Sequence, residues 1–337
     1  MSSRPKVSTV LDRRGFLYGS FALLSCLGAA GCSADSVNPN SPGRAGSAAS
    51  GGATPNVATP EPSLATALGL VGGQNAFFNQ ISSRFPKHKA KADRLLRMNQ
   101  AHQALLETVL SSEVSAPTKA SELPVRSREV DSAIRSSLKA HHAKLHALAL
   151  ESDGGWTARA LASISASVAQ YAEHVGVAFP LKPTQAPNLD TSVTPTELDA
   201  LQRALAYEHA ALWWYGVLGG QTSASSDPGL FQAISAGYLA HRTQRDQLVA
   251  ALTDGGESPV AANAAYPIRW RLNTPKQVAS ASRDIEQDCA STSAWLVSEG
   301  SSTRSWSTRA LINAAIRELA VQGIPENFPG ASELADR

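Results

Sequence analysis

The chain has 337 residues, 43% of them hydrophobic and 17% charged, with 30 Lys and Arg against 28 Asp and Glu for a formal net charge of +2. That apolar content excludes a wholly disordered chain, and a charge so near zero gives no footprint for wrapping nucleic acid. Three cysteines cannot make a disulfide-dense scaffold, and the length allows one large domain or two of ordinary size.

Residues 1–31 read as an export signal. Arg4, Lys6, Arg13 and Arg14 form a basic end, and an apolar stretch of about fifteen residues follows, too short to be a stable membrane span. Arg13-Arg14-Gly15-Phe16-Leu17 resembles the twin-arginine motif of the pathway that exports folded proteins, with Arg13, Arg14, Phe16 and Leu17 carrying the match. Ala29-Ala30-Gly31-Cys32 resembles a bacterial lipobox, which implies that Cys32 is diacylated and becomes the new N-terminus. The expected location is the outer face of the cell membrane, with the lipid on Cys32 as the membrane contact. Removing residues 1–31 takes away four basic residues and one acidic one, leaving 26 basic against 27 acidic residues and a net charge of −1. The basic excess therefore belongs to the signal, and no nucleic-acid partner is expected.

Residues 32–62 are rich in Ser, Gly, Ala and Pro and read as a flexible tether with a root-mean-square reach of roughly 30 Å. From Ser63 the periodicity is helical almost throughout. Leu64, Leu68, Val71, Phe78 and Ile81 mark a first helix that ends near Phe85-Pro86; Leu95, Met98, His102, Leu105 and Val109 mark a second. Ile134, Leu138, His142, Leu145 and Leu148 mark a third, Gly154-Gly155 breaks the chain, and Leu161, Ile164, Val168, Tyr171 and Val175 mark a fourth. Short connections suggest an antiparallel bundle over residues 63–180. Pro180, Pro183 and Pro187 then fall in a stretch without periodicity, so residues 181–193 are expected to be an interdomain linker.

A second bundle is predicted over residues 194–330. Thr194-Pro195-Thr196-Glu197 has the grammar of a helix start, with a capping Thr, a Pro at the first helical position and a Glu able to reach back. Leu198, Leu201, Leu205, Leu212 and Tyr215 form its apolar face. Asp227-Pro228 opens the next helix, with Leu230, Ile234, Tyr238, His241, Leu248 and Leu252 inward, and Thr274-Pro275 opens a third with Val278, Ile285, Cys289 and Leu296. The last carries Trp306, Leu311, Ile312, Ile316 and Leu319 and stops before Gly323 and Pro325. The fold class is all-α, in two helical bundles.

Polar residues fall on these apolar faces. Helical counting puts Glu208 inward with His209 beside it, His241 inward one turn before Arg245 and Asp246, Asp288 inward with Glu286 at the edge of the stripe, and Glu318 inward on the last helix. Buried charges are costly unless paired or metal-bound, so these groups are expected to meet one another or an ion.

The run Ala204-Leu205-Ala206-Tyr207-Glu208-His209-Ala210-Ala211 resembles the opening of a ferritin-like family of exported bacterial proteins with no assigned activity. Ala240-His241-Arg242 through Arg245-Asp246, Ile285-Glu286 with Cys289-Ala290, and Phe328-Pro329-Gly330 are similar to it in order and spacing, over roughly residues 194–330. The resemblance implies a ferritin-like four-helix bundle. Di-iron sites of that fold need Glu-x-x-His pairs, and the sequence contains none; Ala211, Cys289 and Val321 stand three residues after Glu208, Glu286 and Glu318. Iron storage and di-iron oxidation are therefore not expected.

Elsewhere, His142 and His146 lie one turn apart, with His141 adjacent and Glu151 the nearest acid; a shared metal and simple solvation are both open. His102 reads as a hydrogen-bonded core histidine, Cys289 as an inert packed thiol, and Trp213-Trp214-Tyr215 as core packing or a partner surface. There is no Gly-x-Ser-x-Gly elbow and no phosphate loop, so a role in catalysis is less expected than one in binding or scaffolding, with an unknown protein or small-molecule partner. No cofactor is expected. The alternative is a divergent metal-binding protein holding iron, manganese or zinc through Glu208, His209, His241 and Glu286.

Overall fold

Proline opens four of the helices, because its fixed φ suits the first turn and its missing N–H would be unpaired there in any case. The structure, a computed structural model, describes residues 61–110, 122–189, 193–321 and 323–336. The expected signal with Arg13, Arg14, Phe16 and Leu17, the expected lipidation site Cys32 and nearly all of the tether lie outside the described residues. Those described fall in one compact unit, Ala58–Arg337.

Among the described residues eight α-helices follow one another: α1 (Pro62–Arg84), α2 (Lys89–Val109), α3 (Val130–Glu151), α4 (Gly155–His174), α5 (Pro195–Gly219), α6 (Pro228–Asp254), α7 (Pro275–Glu299) and α8 (Arg304–Ala320). Among the described residues there is no strand, and no helix is long and apolar enough to cross a membrane. The fold is all-α. Helix pairs α1–α2, α3–α4, α5–α6 and α7–α8 pack as hairpins, and α5 also packs on α7. The predicted starts are seen: Thr194 Oγ1 accepts from the Glu197 amide at 3.1 Å, Asp227 Oδ1 from Leu230 at 3.1 Å, and Thr274 Oγ1 from Gln277 at 3.3 Å. Glu197, however, does not reach back to its cap. It is 2% exposed, and its Oε1 accepts from the Thr303 amide and hydroxyl at 2.9 Å each, which joins the start of α5 to the start of α8.

The two helical blocks do not have separate cores. One apolar cluster runs from Leu64 and Phe77 through Leu161 and Val168 to Cys289, Leu311, Phe328 and Leu334. Helix α4 is its centre, packed on α3 and also on α7 and α8. The reason lies in its small residues. Ala160, Ala162, Ser163, Ser165, Ala166, Ser167 and Ala169 are fully buried on several sides of α4, and such side chains let neighbouring helices approach closely. Of the proline-rich stretch 181–193, read from sequence as an interdomain linker, the described residues 181–189 and 193 carry no helix.

The C-terminal tail completes the joint. Asn327 O accepts from His102 Nε2 at 2.9 Å, Ser163 Oγ donates to Pro329 O at 2.9 Å, and Phe328 lies edge-on to His102. Gly330 has φ +72°, and a Cβ there would stand 2.4 Å from Ala290 O, so only glycine suits the turn that tucks the tail under α7.

A buried polar layer as the candidate functional site

Two smaller apolar clusters lie along α5, α6 and α7. One contains Leu201, Leu205, Leu248, Leu252 and Leu296; the other contains Ala211, Trp214, Tyr215, Ile234, Val278 and Ile285. Glu208 falls between them on α5, His241 on α6 and Glu286 on α7, so the three form a polar layer between two dry ones.

His241 is the centre of the layer. It is fully buried, its Nδ1 lies 2.7 Å from Glu208 Oε2, and its Nε2 lies 3.3 Å from Glu286 Oε1. Glu286 Oε1 also accepts from Tyr215 OH at 2.6 Å and from Arg317 Nε at 2.9 Å. Tyr215 OH shares a further hydrogen bond with Ser282 Oγ at 2.9 Å, and the Cys289 thiol donates to Glu208 Oε1 at 3.7 Å. Glu286 is fully buried and Arg317 is 8% exposed; Glu286 Oε2, Arg317 Nη2 and Oε1 of Gln244, one turn after His241, are buried without a partner.

The charges hold one another. Burial works against the His241 imidazolium, but Glu208 and Glu286 outweigh it and raise its pKa to about 9. Burial likewise opposes the Glu286 carboxylate, and Arg317 with His241 brings it down to about 2. Glu286 holds Arg317 charged against its own burial. Burial, then the nearby carboxylates, push the Cys289 thiol and the Tyr215 phenol well above their ordinary values, so both keep their protons. With two carboxylates, an imidazolium and a guanidinium, the layer has no net charge.

The structure brings Glu208 and His241, both counted inward, together with Glu286. One counted order is reversed, since Glu286 is the inward residue of α7 while Asp288 is only half-buried and pairs with Arg269 away from the layer. Helix α7 is covered by α4, α5 and α8 at once, and those partners, not the apolar stripe, decide which side is inside. The other expected members lie elsewhere. His209 is half-buried with its Nε2 against Val260 O at 3.1 Å, while Arg245 and Asp246 pair with each other at the surface. Glu318 is buried, but it accepts from Gln287 at 2.8 Å and Gln170 at 3.2 Å; burial, then the neighbouring Glu326 charge, raise its pKa to about 8. Tyr238, counted inward, is 37% exposed, because Gly237 takes the inner position under the Tyr215 ring.

Sequence reasoning missed Arg317, Tyr215 and Cys289 as members. Arg317 had a signal: it is a cation directly after Ala314-Ala315-Ile316, a run of small and apolar residues that continues the buried side of its helix. Tyr215 and Cys289 read as packing because phenol and thiol suit an apolar stripe equally well.

In the N-terminal block His102 is a hydrogen-bonded core histidine, with Ser167 Oγ and Asn327 O on its Nε2. His141 and His142 are buried, which overturns solvation for those two; α3 turns them toward its neighbours rather than toward the flanking lysines. His142 Nδ1 faces Ser165 O at 3.0 Å, and its ring stacks on that of His146 with centroids 6.0 Å apart. Among the described residues the one group of three or more metal-ligand side chains whose donor atoms lie within 4.8 Å of one another is Glu208, His241 and Cys289. The histidines of α3 are not part of it, and neither is Glu151.

Among the described residues, two of the clefts lie on the C-terminal half, and none of the polar-layer residues lines either. One, of about 460 Å³, is bordered by Trp213, Tyr238, Tyr266, His209 and Arg245; the other, of about 280 Å³, lies between the starts of α6 and α7 and the end of α8.

Residues 200–333 match one family model, the domain of unknown function DUF4439. The C-terminal half is therefore similar to a domain of an uncharacterised family. The match takes in the whole polar layer, from Glu208 to Arg317, and the tail turn at Gly330. No curated protein and no solved structure matches the chain.

Proposed function

We propose that the protein is an exported, lipid-anchored helical protein with a binding or scaffold role, held at the outer face of the cell membrane through Cys32, whose DUF4439 segment is a ferritin-like bundle without di-iron chemistry. The observation that carries the non-catalytic part is the burial of the polar layer: its charged groups are at most 8% exposed, and they line neither of the two clefts described above. The cleft bordered by Trp213, Tyr238 and Tyr266, with Arg245 at its edge, offers aromatic faces and one cation to a partner or small molecule. The experiment has two parts. Labelled palmitate should enter the wild-type protein and not Cys32→Ala. A photo-crosslinking residue at Tyr238 should give discrete adducts in native membranes that one at Lys139, on the far block, does not; equal or absent labelling at both refutes a binding role for this face.

A second reading, a bound metal, is favoured by the convergence of Glu208, His241 and Cys289. It keeps two of the four residues expected from sequence, drops His209 and Glu286, and adds a thiol. Export in the folded state suits a protein that takes its ion before crossing the membrane. Elemental analysis of protein purified from its own membrane separates the two: one ion per chain supports the second reading, and none removes it while leaving the first intact.

A further inference from the structure

We propose that the polar layer is a mononuclear site for a thiophilic divalent cation of the zinc class, ligated by Glu208, His241 Nδ1 and the Cys289 thiolate; the proposal rests on the metal reading above and names its ligands and its ion.

Three features of the layer point the same way. The three donors come from α5, α6 and α7, one each, so an ion there ties three helices together. Glu208 lies between the other two, 2.7 Å from His241 Nδ1 on one oxygen and 3.7 Å from Cys289 Sγ on the other. Tetrahedral zinc, with bonds of about 2.0–2.3 Å to N, O and S, needs its ligands a little over 3 Å apart, so the carboxylate and imidazole must part by roughly half an ångström. The second feature is the far side of the imidazole. His241 Nε2 faces the Glu286 carboxylate, which Tyr215 and Arg317 fix in place. A metal-bound histidine characteristically donates its other ring N–H to a carboxylate that sets its tautomer and orientation. Glu286 is thus a positioning residue and not a ligand.

The third feature is charge. A divalent cation that displaces one proton from the His241 imidazolium and one from the Cys289 thiol leaves Glu208, the thiolate and Glu286 negative, and the cation and Arg317 positive. The sum is zero, so the ion sits in a buried interior with no uncompensated charge. A thiolate with one imidazole and one carboxylate selects zinc and its analogues over manganese, which prefers oxygen.

Because the layer is closed, loading belongs to folding, and the test supplies metal during growth. Full-length protein from cells grown with cobalt in place of zinc is expected to hold one cobalt ion per chain, with an intense near-ultraviolet thiolate-to-cobalt charge-transfer band. Cys289→Ser, which keeps nearly the same side-chain volume, should lose that band and at least about 90% of the metal while retaining its helical circular dichroism. Glu286→Gln should keep the band and hold the ion about 10- to 100-fold more weakly. Wild-type protein without metal would overturn both this site and the metal reading. Wild-type protein with one ion, no charge-transfer band and no change in Cys289→Ser would overturn the thiolate site alone and leave the metal reading standing.

Discussion

In metal-free protein, Glu208→Ala removes the closest partner of a fully buried imidazolium. The magnitude follows from His241. Its pKa is held at about 9 against an ordinary 6.5, so the folded state favours its charge by about 3 kcal/mol. Breaking one side of a buried ion pair typically costs about 3–5 kcal/mol, which agrees. For a chain of this size that lowers the thermal midpoint by roughly 6–12 °C at pH 6. The sign with pH is fixed by the direction of the shift. A histidine whose folded pKa lies above its unfolded one contributes fully below about pH 6.5, and the contribution disappears as pH rises through about 9. Thermal melts followed by circular dichroism at pH 6 and pH 10 should therefore show a parent–variant gap that shrinks by more than half at the higher pH. Glu208→Gln, which keeps an acceptor for Nδ1–H, should show a smaller gap at pH 6 and almost none at pH 10. Equal gaps at both pH values would mean that packing, not charge, sets the cost, and the electrostatic account of the layer would be refuted.

Three further outcomes are expected. A Cβ at Gly237 would stand 2.3 Å from the Tyr215 ring, so Gly237→Ala should displace Tyr215 from Glu286 and cost about 1–3 kcal/mol in a denaturant titration, with a blue-shifted tyrosine band in ultraviolet difference spectra as the phenol loses its carboxylate; an unchanged midpoint would contradict the tight contact. Glu318 has a folded pKa of about 8, above its ordinary 4.5, so it lowers stability progressively as pH rises through that range; Glu318→Gln should melt higher than the parent at pH 8 and no higher at pH 5. His102, His142 and His146 are pushed down to about 4 and His141 to about 3, chiefly by burial, so stability should fall as pH drops from about 6.5 toward 4. Acid titration by circular dichroism should then show unfolding at or above pH 4, and a chain still fully folded at pH 3.5 would show these histidines to be solvated.

Much of this fold follows from local chemistry. The eight helices, the proline starts, the three side-chain caps and the break at Phe85-Pro86 are each set by residues within a turn of one another, and the sequence determines them without help. So does the inward placement of Glu208 and His241, because an apolar stripe on both sides of a residue fixes its direction on a helix with one buried face. What lies beyond one helix's own stripe was decided only by the tertiary packing. Asp288 and Glu286 exchange places because α7 is covered on several sides, and a helix buried on several sides has no single stripe to count from. The apolar cluster that α4 shares with α7 and α8 depends on the small side chains of α4, whose low bulk permits close approach but names no partner. The roles of Arg317, Tyr215 and Cys289 were equally invisible: a guanidinium, a phenol or a thiol on an apolar face is defined by the groups that face it, and those come from helices 31, 71 and 81 residues away in the chain. Periodicity reports which way a side chain points; only the packed structure supplies what it meets.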